Sequence, residues 1–122
     1  MRVLCDVLTC ACPNHRSVGR GHATDAENDE ALKKRIRFVL NVLATEGKDY
    51  IILGAYGCGV FEQNPASVAS IFKELVNNEF NGTFKLAVFA IPDENSDNFK
   101  AFRQVLCTET AQNTENGAAN RD

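Results

Sequence analysis

The chain has 122 residues, 44% of them hydrophobic, and a formal net charge of −3. That length holds one domain at most, with an ordinary apolar fraction and a small core. The charge gives no reason to expect nucleic acid, no apolar run nears the roughly 20 residues that span a bilayer, and no basic stretch leads an apolar one as in a signal peptide, so a cytoplasmic protein with no membrane partner is expected.

Val3-Leu4-Cys5-Asp6-Val7-Leu8 reads as a mostly apolar first strand, in which Asp6 would need a partner if buried. Residues 9–25 contain Pro13, Gly19 and Gly21 among polar residues and are expected to form a long loop. Thr24 and Glu27 fit a capping box, and Leu32, Ile36, Val39, Leu40 and Leu43 then repeat at helical spacing. Gly47 is the expected stop. Tyr50-Ile51-Ile52-Leu53 is the second strand. Asn64 as N-cap and Pro65 at the first helical position open a helix with Val68, Ile71, Phe72 and Leu75 as its apolar stripe.

Asn81-Gly82 marks a turn, residues 84–91 read as a third strand, and Pro92 ends its ladder. Ser96 caps a last helix carrying Phe99, Phe102, Val105 and Leu106. From Thr108 to Asp122 the only apolar residues are alanines, so that stretch is expected as a disordered polar tail behind a single unit over residues 1–107. The order β-α-β-α-β-α implies an α/β fold with a parallel sheet and helices on its faces. Ligands of such sheets bind beyond the carboxyl ends of the strands, and the loops after the first and second strands leave from that edge.

The second of these loops is Gly54-Ala55-Tyr56-Gly57-Cys58-Gly59-Val60-Phe61. Glycines let a backbone approach an anion, and a strand, a glycine turn and a helix start together can hold a phosphate. A tight turn that needs glycines for its dihedrals explains the same residues. The spacing is neither the dinucleotide fingerprint nor a Walker A loop. Phe61 can stack on a ribose or base, or simply cover the edge of the core.

The five cysteines are Cys5, Cys10, Cys12, Cys58 and Cys107. An odd number without a secretion signal argues against a disulfide framework. Cys58, between glycines near a helix start, invites a reading as a nucleophile with a lowered thiol pKa. His15 and His22 are the only histidines, and both precede it. Cys10, Cys12, His15 and His22 match no common structural zinc spacing, so no metal is assigned.

Two segments together resemble a known family. Val7-Leu8-Thr9-Cys10-Ala11-Cys12-Pro13-Asn14 is similar to its "TCAAPN" segment, and Leu53–Phe61 to its "LGAWGCGVF" segment. Val68-Ala69, Phe72 and the strand Ala87–Ile91 follow in the family's order. The family is the microbial-type poly(ADP-ribose) glycohydrolases, which are macrodomains, and the resemblance covers residues 3–106. It implies a three-layer macrodomain-like fold and an ADP-ribose or poly(ADP-ribose) ligand. Gly57, Cys58, Gly59, Val60 and Phe61 would cradle the diphosphate, with Phe61 beside the distal ribose and Asn14 lining the same cleft.

Cys12, Tyr56 and Asn64 stand where the family usually has alanine, tryptophan and aspartate. The family's catalytic segment, a triple glycine followed by Gln-Glu-Glu, belongs upstream of "TCAAPN" and does not occur here. The chain is therefore expected to be the C-terminal half of such a fold. No catalytic residue or cofactor is assigned, and an N-terminal half or a second chain would complete the sheet. The parent reaction would hydrolyse ribose–ribose O-glycosidic bonds and release ADP-ribose. A non-catalytic ADP-ribose or nucleotide-binding module and a Cys58 thiol enzyme are the alternatives.

Overall fold

A computed structural model of the chain describes residues 2–107. The expected polar tail lies outside the described residues. The elements in order are α1 (Arg16–Gly19), α2 (Asp25–Thr45), β1 (Tyr50–Leu53), α3 (Pro65–Asn77), β2 (Leu86–Phe89) and α4 (Asp97–Leu106).

The helix starts lie where the side chains dictate. Thr24 Oγ1 accepts from Glu27 N at 3.1 Å, and Glu27 Oε1 accepts in return from Thr24 N at 3.1 Å, completing the capping box of α2. Asn64 accepts from Ser67 N at 3.1 Å and Ser96 from Phe99 N at 3.1 Å, capping α3 and α4. At the end of α2, Gly47 takes φ +69°. Its N–H reaches Ala44 O and that of Lys48 reaches Leu43 O, the paired bonds of a Schellman stop.

β1 and β2 pair in parallel, with Ile51 opposite Ala87 and Leu53 opposite Phe89. Alternation then divides their side chains between two faces. Ile51, Leu53, Ala87 and Phe89 meet the core, where Leu32, Ile36 and Leu40 of α2, Val68, Phe72 and Leu75 of α3, and Phe102 of α4 are buried. Phe89 sits between two rings, 5.3 Å from Phe72 and 5.6 Å from Phe102 by centroids. Tyr50, Ile52, Leu86 and Val88 point the other way and are exposed. Parallel sheets ordinarily have both faces covered. Here helices cover one face, and none of the described residues shields the other.

Three expectations change. Residues 3–8 form no strand, and Val3, Leu4 and Val7 are exposed. An apolar run becomes a strand only with a ladder partner and a surface to lie on, and this segment has neither among the described residues. It is held instead at one point, where the Asp6 carboxylate meets the Lys48 ammonium, and beyond it Arg35 Nη1 donates to Ala11 O at 2.5 Å. Asp6 thus stays in solvent, and burial never arises. The third strand is confined to Leu86–Phe89, and the loop over 9–25 contains the single turn of α1.

Candidate functional site

The glycine loop leaves the carboxyl end of β1 and returns at the N-cap of α3. Tyr56 N donates to Gly54 O, Cys58 N to Ala55 O, Glu62 N to Gly59 O and Gln63 N to Gly57 O, at 2.9 to 3.0 Å, closing the loop on itself. Among the described residues, the backbone N–H groups of Gly57, Gly59, Val60 and Phe61 donate to no protein acceptor. Gly59 and Val60 are exposed, so the run of amides from 59 to 61 is open to an anion.

The two glycines have different reasons. Gly57 takes φ +73°, and a Cβ there would overlap Cys12 Sγ and lie 3.0 Å from Gln63 Cγ. It is required for both its dihedral and the close approach of the first loop. Gly59 has no positive φ, and a Cβ there would meet nothing within 4 Å. Its bare backbone is not needed for packing.

The two loops do meet, although the first strand is absent. His15 N donates to Phe61 O at 2.9 Å. Asn14, which precedes it, is half-buried, and its Oδ1 accepts from Arg16 N at 3.0 Å. That bond fixes the Asn14 side chain at the start of α1, one residue from the Phe61 contact. The Phe61 ring is half-buried and packs against the core, so it braces the loop; Val60 beside it is exposed.

The junction rests on a pair of amides that sequence reasoning does not single out. Gln63 and Asn28 are the buried polar side chains among the described residues, at 3% and 7% exposure. Gln63 Nε2 donates to Pro13 O and to Asn28 Oδ1, each at 2.8 Å, and Asn28 Nδ2 donates back to Gln63 Oε1 at 3.1 Å. One side chain thereby joins the first loop, α2 and the glycine loop. A polar residue between Glu62 and a helix cap carries no local signal of burial.

The thiols do not behave as an activated set. Burial pushes Cys58 up to about 11, and its Sγ lies 3.5 Å from Tyr56 O. Burial likewise pushes Cys12 up to about 11, with the neighbouring Cys58 adding to the effect. A nucleophilic thiol needs the opposite shift. The Tyr56 hydroxyl is buried without a hydrogen-bond partner, and burial first, then the neighbouring Cys10, raises its pKa. His15 Nε2 faces Asp25 Oδ1 at 3.1 Å, His22 is exposed and Cys12 is buried, so the Cys10, Cys12, His15 and His22 set does not converge. Among the described residues no group of three or more His, Cys, Asp or Glu side chains could hold a metal ion. No helix among them is long and apolar enough to cross a membrane.

Solved structures supply the comparison. Poly(ADP-ribose) glycohydrolase from Deinococcus radiodurans in complex with ADP-ribose matches at 36% identity and a TM-score of 0.72, over 78% of this chain and 40% of that one. A variant of the Thermomonospora curvata glycohydrolase matches at 35% identity and a TM-score of 0.70, over 77% of this chain and 37% of that one. The same organism's enzyme bound to the inhibitor ADP-HPD matches at 35% identity and a TM-score of 0.68, over 75% of this chain and 36% of that one. No family model and no curated protein matches the chain. By fold and by sequence, this chain resembles part of the microbial poly(ADP-ribose) glycohydrolases, spanning 40% of the length of the Deinococcus structure it matches.

Proposed function

We propose that the Gly57–Phe61 loop, with Asn14 beside it, binds the diphosphate of ADP-ribose. The parent fold would hydrolyse the ribose–ribose O-glycosidic bonds of poly(ADP-ribose) and release ADP-ribose. The observation that carries this reading is the run of uncommitted amides at Gly59, Val60 and Phe61. It lies in a chain 36% identical to a glycohydrolase solved with ADP-ribose. A diphosphate offers several anionic oxygens to such a run, and the loop is fixed by its own turn bonds before the ligand arrives. In this reading Gly57 and Cys58 shape the turn, and Phe61 lies beside the distal ribose.

Cleavage of the glycosidic bond needs an acid to protonate the leaving oxygen. Most carboxylates near the first loop are engaged elsewhere. Asp25 faces His15, Glu27 serves the capping box, Glu30 pairs with Lys34 and Asp6 with Lys48. Glu62 is exposed, 3.9 Å from Arg16. We therefore propose binding without turnover by this chain alone. The remainder of a glycohydrolase fold, an N-terminal half or a second chain, would cover the face bearing Tyr50, Ile52, Leu86 and Val88 and complete the sheet. The five free cysteines support a reducing, cytoplasmic setting.

Calorimetric titration of the full chain with ADP-ribose, beside a hydrolysis assay on poly(ADP-ribose), tests the proposal. Weak binding and no turnover are expected. No heat of binding at millimolar ADP-ribose would sink the ligand assignment, and clear turnover would sink the claim of inactivity. A tight dissociation constant without hydrolysis would instead favour a self-sufficient binding module. The Cys58 thiol enzyme is disfavoured by the upward shift of its pKa.

A further inference from the structure

The backbone N–H and C=O groups of residues 2–8 make no hydrogen bond among the described residues. No helix or turn interrupts the stretch, and no proline, glycine or lysine breaks it. Its apolar side chains stand in solvent, with Val3 81%, Leu4 95% and Val7 83% exposed. Asp6 meets Lys48, just before β1, and Cys12 packs over Gly57, just after it. Residues 6–12 therefore run beside β1 in the same direction, and residues 2–5 project past its start. A row of open donors and acceptors between exposed apolar side chains is a template for pairing with another chain.

The stretch is complementary to itself. In an antiparallel pair, residues directly opposite share a face of the sheet, and successive residues alternate between faces. With Leu4 opposite Leu4 of a second copy, Arg2 of each copy lies opposite Asp6 of the other, and Val3 lies opposite Cys5. The two leucines then meet between two ion pairs on one face. No other antiparallel register sets Arg2 against Asp6. Both charges are open to such a contact. Arg2 has no acidic partner among the described residues. Lys48 engages Oδ2 of Asp6 and leaves Oδ1. The edge of β1 on the same chain offers Arg2 nothing comparable, because Tyr50–Leu53 carries no charge and Asp49 before it pairs with Lys85.

We infer that residues 2–8 are a docking edge for a second copy of this chain, joined by an antiparallel two-fold pairing centred on Leu4. The inference is independent of the ADP-ribose assignment. A two-fold pairing uses the same patch on both copies and closes on itself, so it stops at a dimer. A stretch this short buries less than the roughly 800 Å² per partner of a standard interface, so the dimer is weak, with a dissociation constant on the order of 100 μM.

Sedimentation velocity of the full chain, with a reductant present and from about 10 μM to about 1 mM, reads the association. A shift from monomer to dimer across that range is expected. Leu4→Lys sets two ammonium groups against each other at the axis and is expected to leave a monomer, with the circular dichroism of the wild type because the position is exposed. Arg2→Asp and Asp6→Arg each place like charges opposite one another and are expected to weaken self-association about ten-fold or more. Mixed in equal amounts, these two variants again set opposite charges face to face and are expected to form a heterodimer near the wild-type concentration. A wild-type chain still monomeric at about 1 mM, a dimer that Leu4→Lys leaves intact, or two charge variants that fail to associate when mixed overturns the inference.

Discussion

Replacing Gln63 by leucine removes the one side chain that ties the first loop and α2 to the glycine loop. Leucine is close enough in size that the loss is mainly polar. Three hydrogen bonds go: two from Nε2, at 2.8 Å each to Pro13 O and Asn28 Oδ1, and one into Oε1 from Asn28 Nδ2 at 3.1 Å. Asn28 and the Pro13 carbonyl then stand beside an apolar group without their partners. At about 1 kcal/mol net for each bond, the expected destabilisation is about 3 kcal/mol, a large share of a small domain's total. Equilibrium urea unfolding followed by far-ultraviolet circular dichroism measures it. Asn28→Leu alone breaks two of the three bonds and is expected to cost about 2 kcal/mol. The double variant removes both amides together, which leaves only the Pro13 carbonyl unpaired. It should therefore lie near the Gln63→Leu value, with a coupling of about 2 kcal/mol rather than the sum of the singles. A loss below about 1 kcal/mol for Gln63→Leu, or simple additivity, would refute the view that this pair holds the loops in register.

The glycines give a contrast that the same assay reads. Gly57→Ala places a side chain at φ +73° and against Cys12, and should cost about 2 kcal/mol or more, whereas Gly59→Ala should stay within about 0.5 kcal/mol of wild type. Equal effects at the two positions would remove the distinction. Alkylation of Cys58 by iodoacetamide should be slow at neutral pH and climb about ten-fold per pH unit toward its pKa of about 11; a plateau below pH 8 would restore the nucleophile reading. Because Cys12 and Cys58 are raised from 9.0 to about 11, the folded state holds more protons than the unfolded one between those values. Their contribution is therefore intact below pH 9 and declines as pH rises to about 11, which the urea midpoint of the reduced protein across that range reports. Asn64→Ala deprives Ser67 N of its acceptor and should cost about 1 kcal/mol by urea unfolding, with an unchanged midpoint counting against the cap.

The sequence by itself determined the elements whose cause is local. Thr24 with Glu27, Asn64 with Pro65, and Ser96 start helices where they stand because a side chain satisfies amides two or three residues on. Gly47 stops α2 because it tolerates φ +69°. The stripes Leu32–Ile36–Leu40 and Val68–Phe72–Leu75 face the core because helical periodicity leaves them no other side. The glycine loop was legible as a turn between a strand and a capped helix for the same local reason, and the Leu53–Phe61 and Val7–Asn14 segments carried the chain's likeness to the glycohydrolases. Tertiary structure decided everything that needs a partner far along the chain. Val3–Leu8 has the composition of a strand, but a ladder is made between segments, and none of the described residues offers this one an edge. Burial raised the Cys58 thiol, where its glycine setting pointed the other way. The reason Gly57 must be glycine lies in Cys12, 45 positions earlier, and the register of the loops lies in Asn28 and Gln63, whose amides meet across 35 residues with nothing in the neighbouring sequence to announce them.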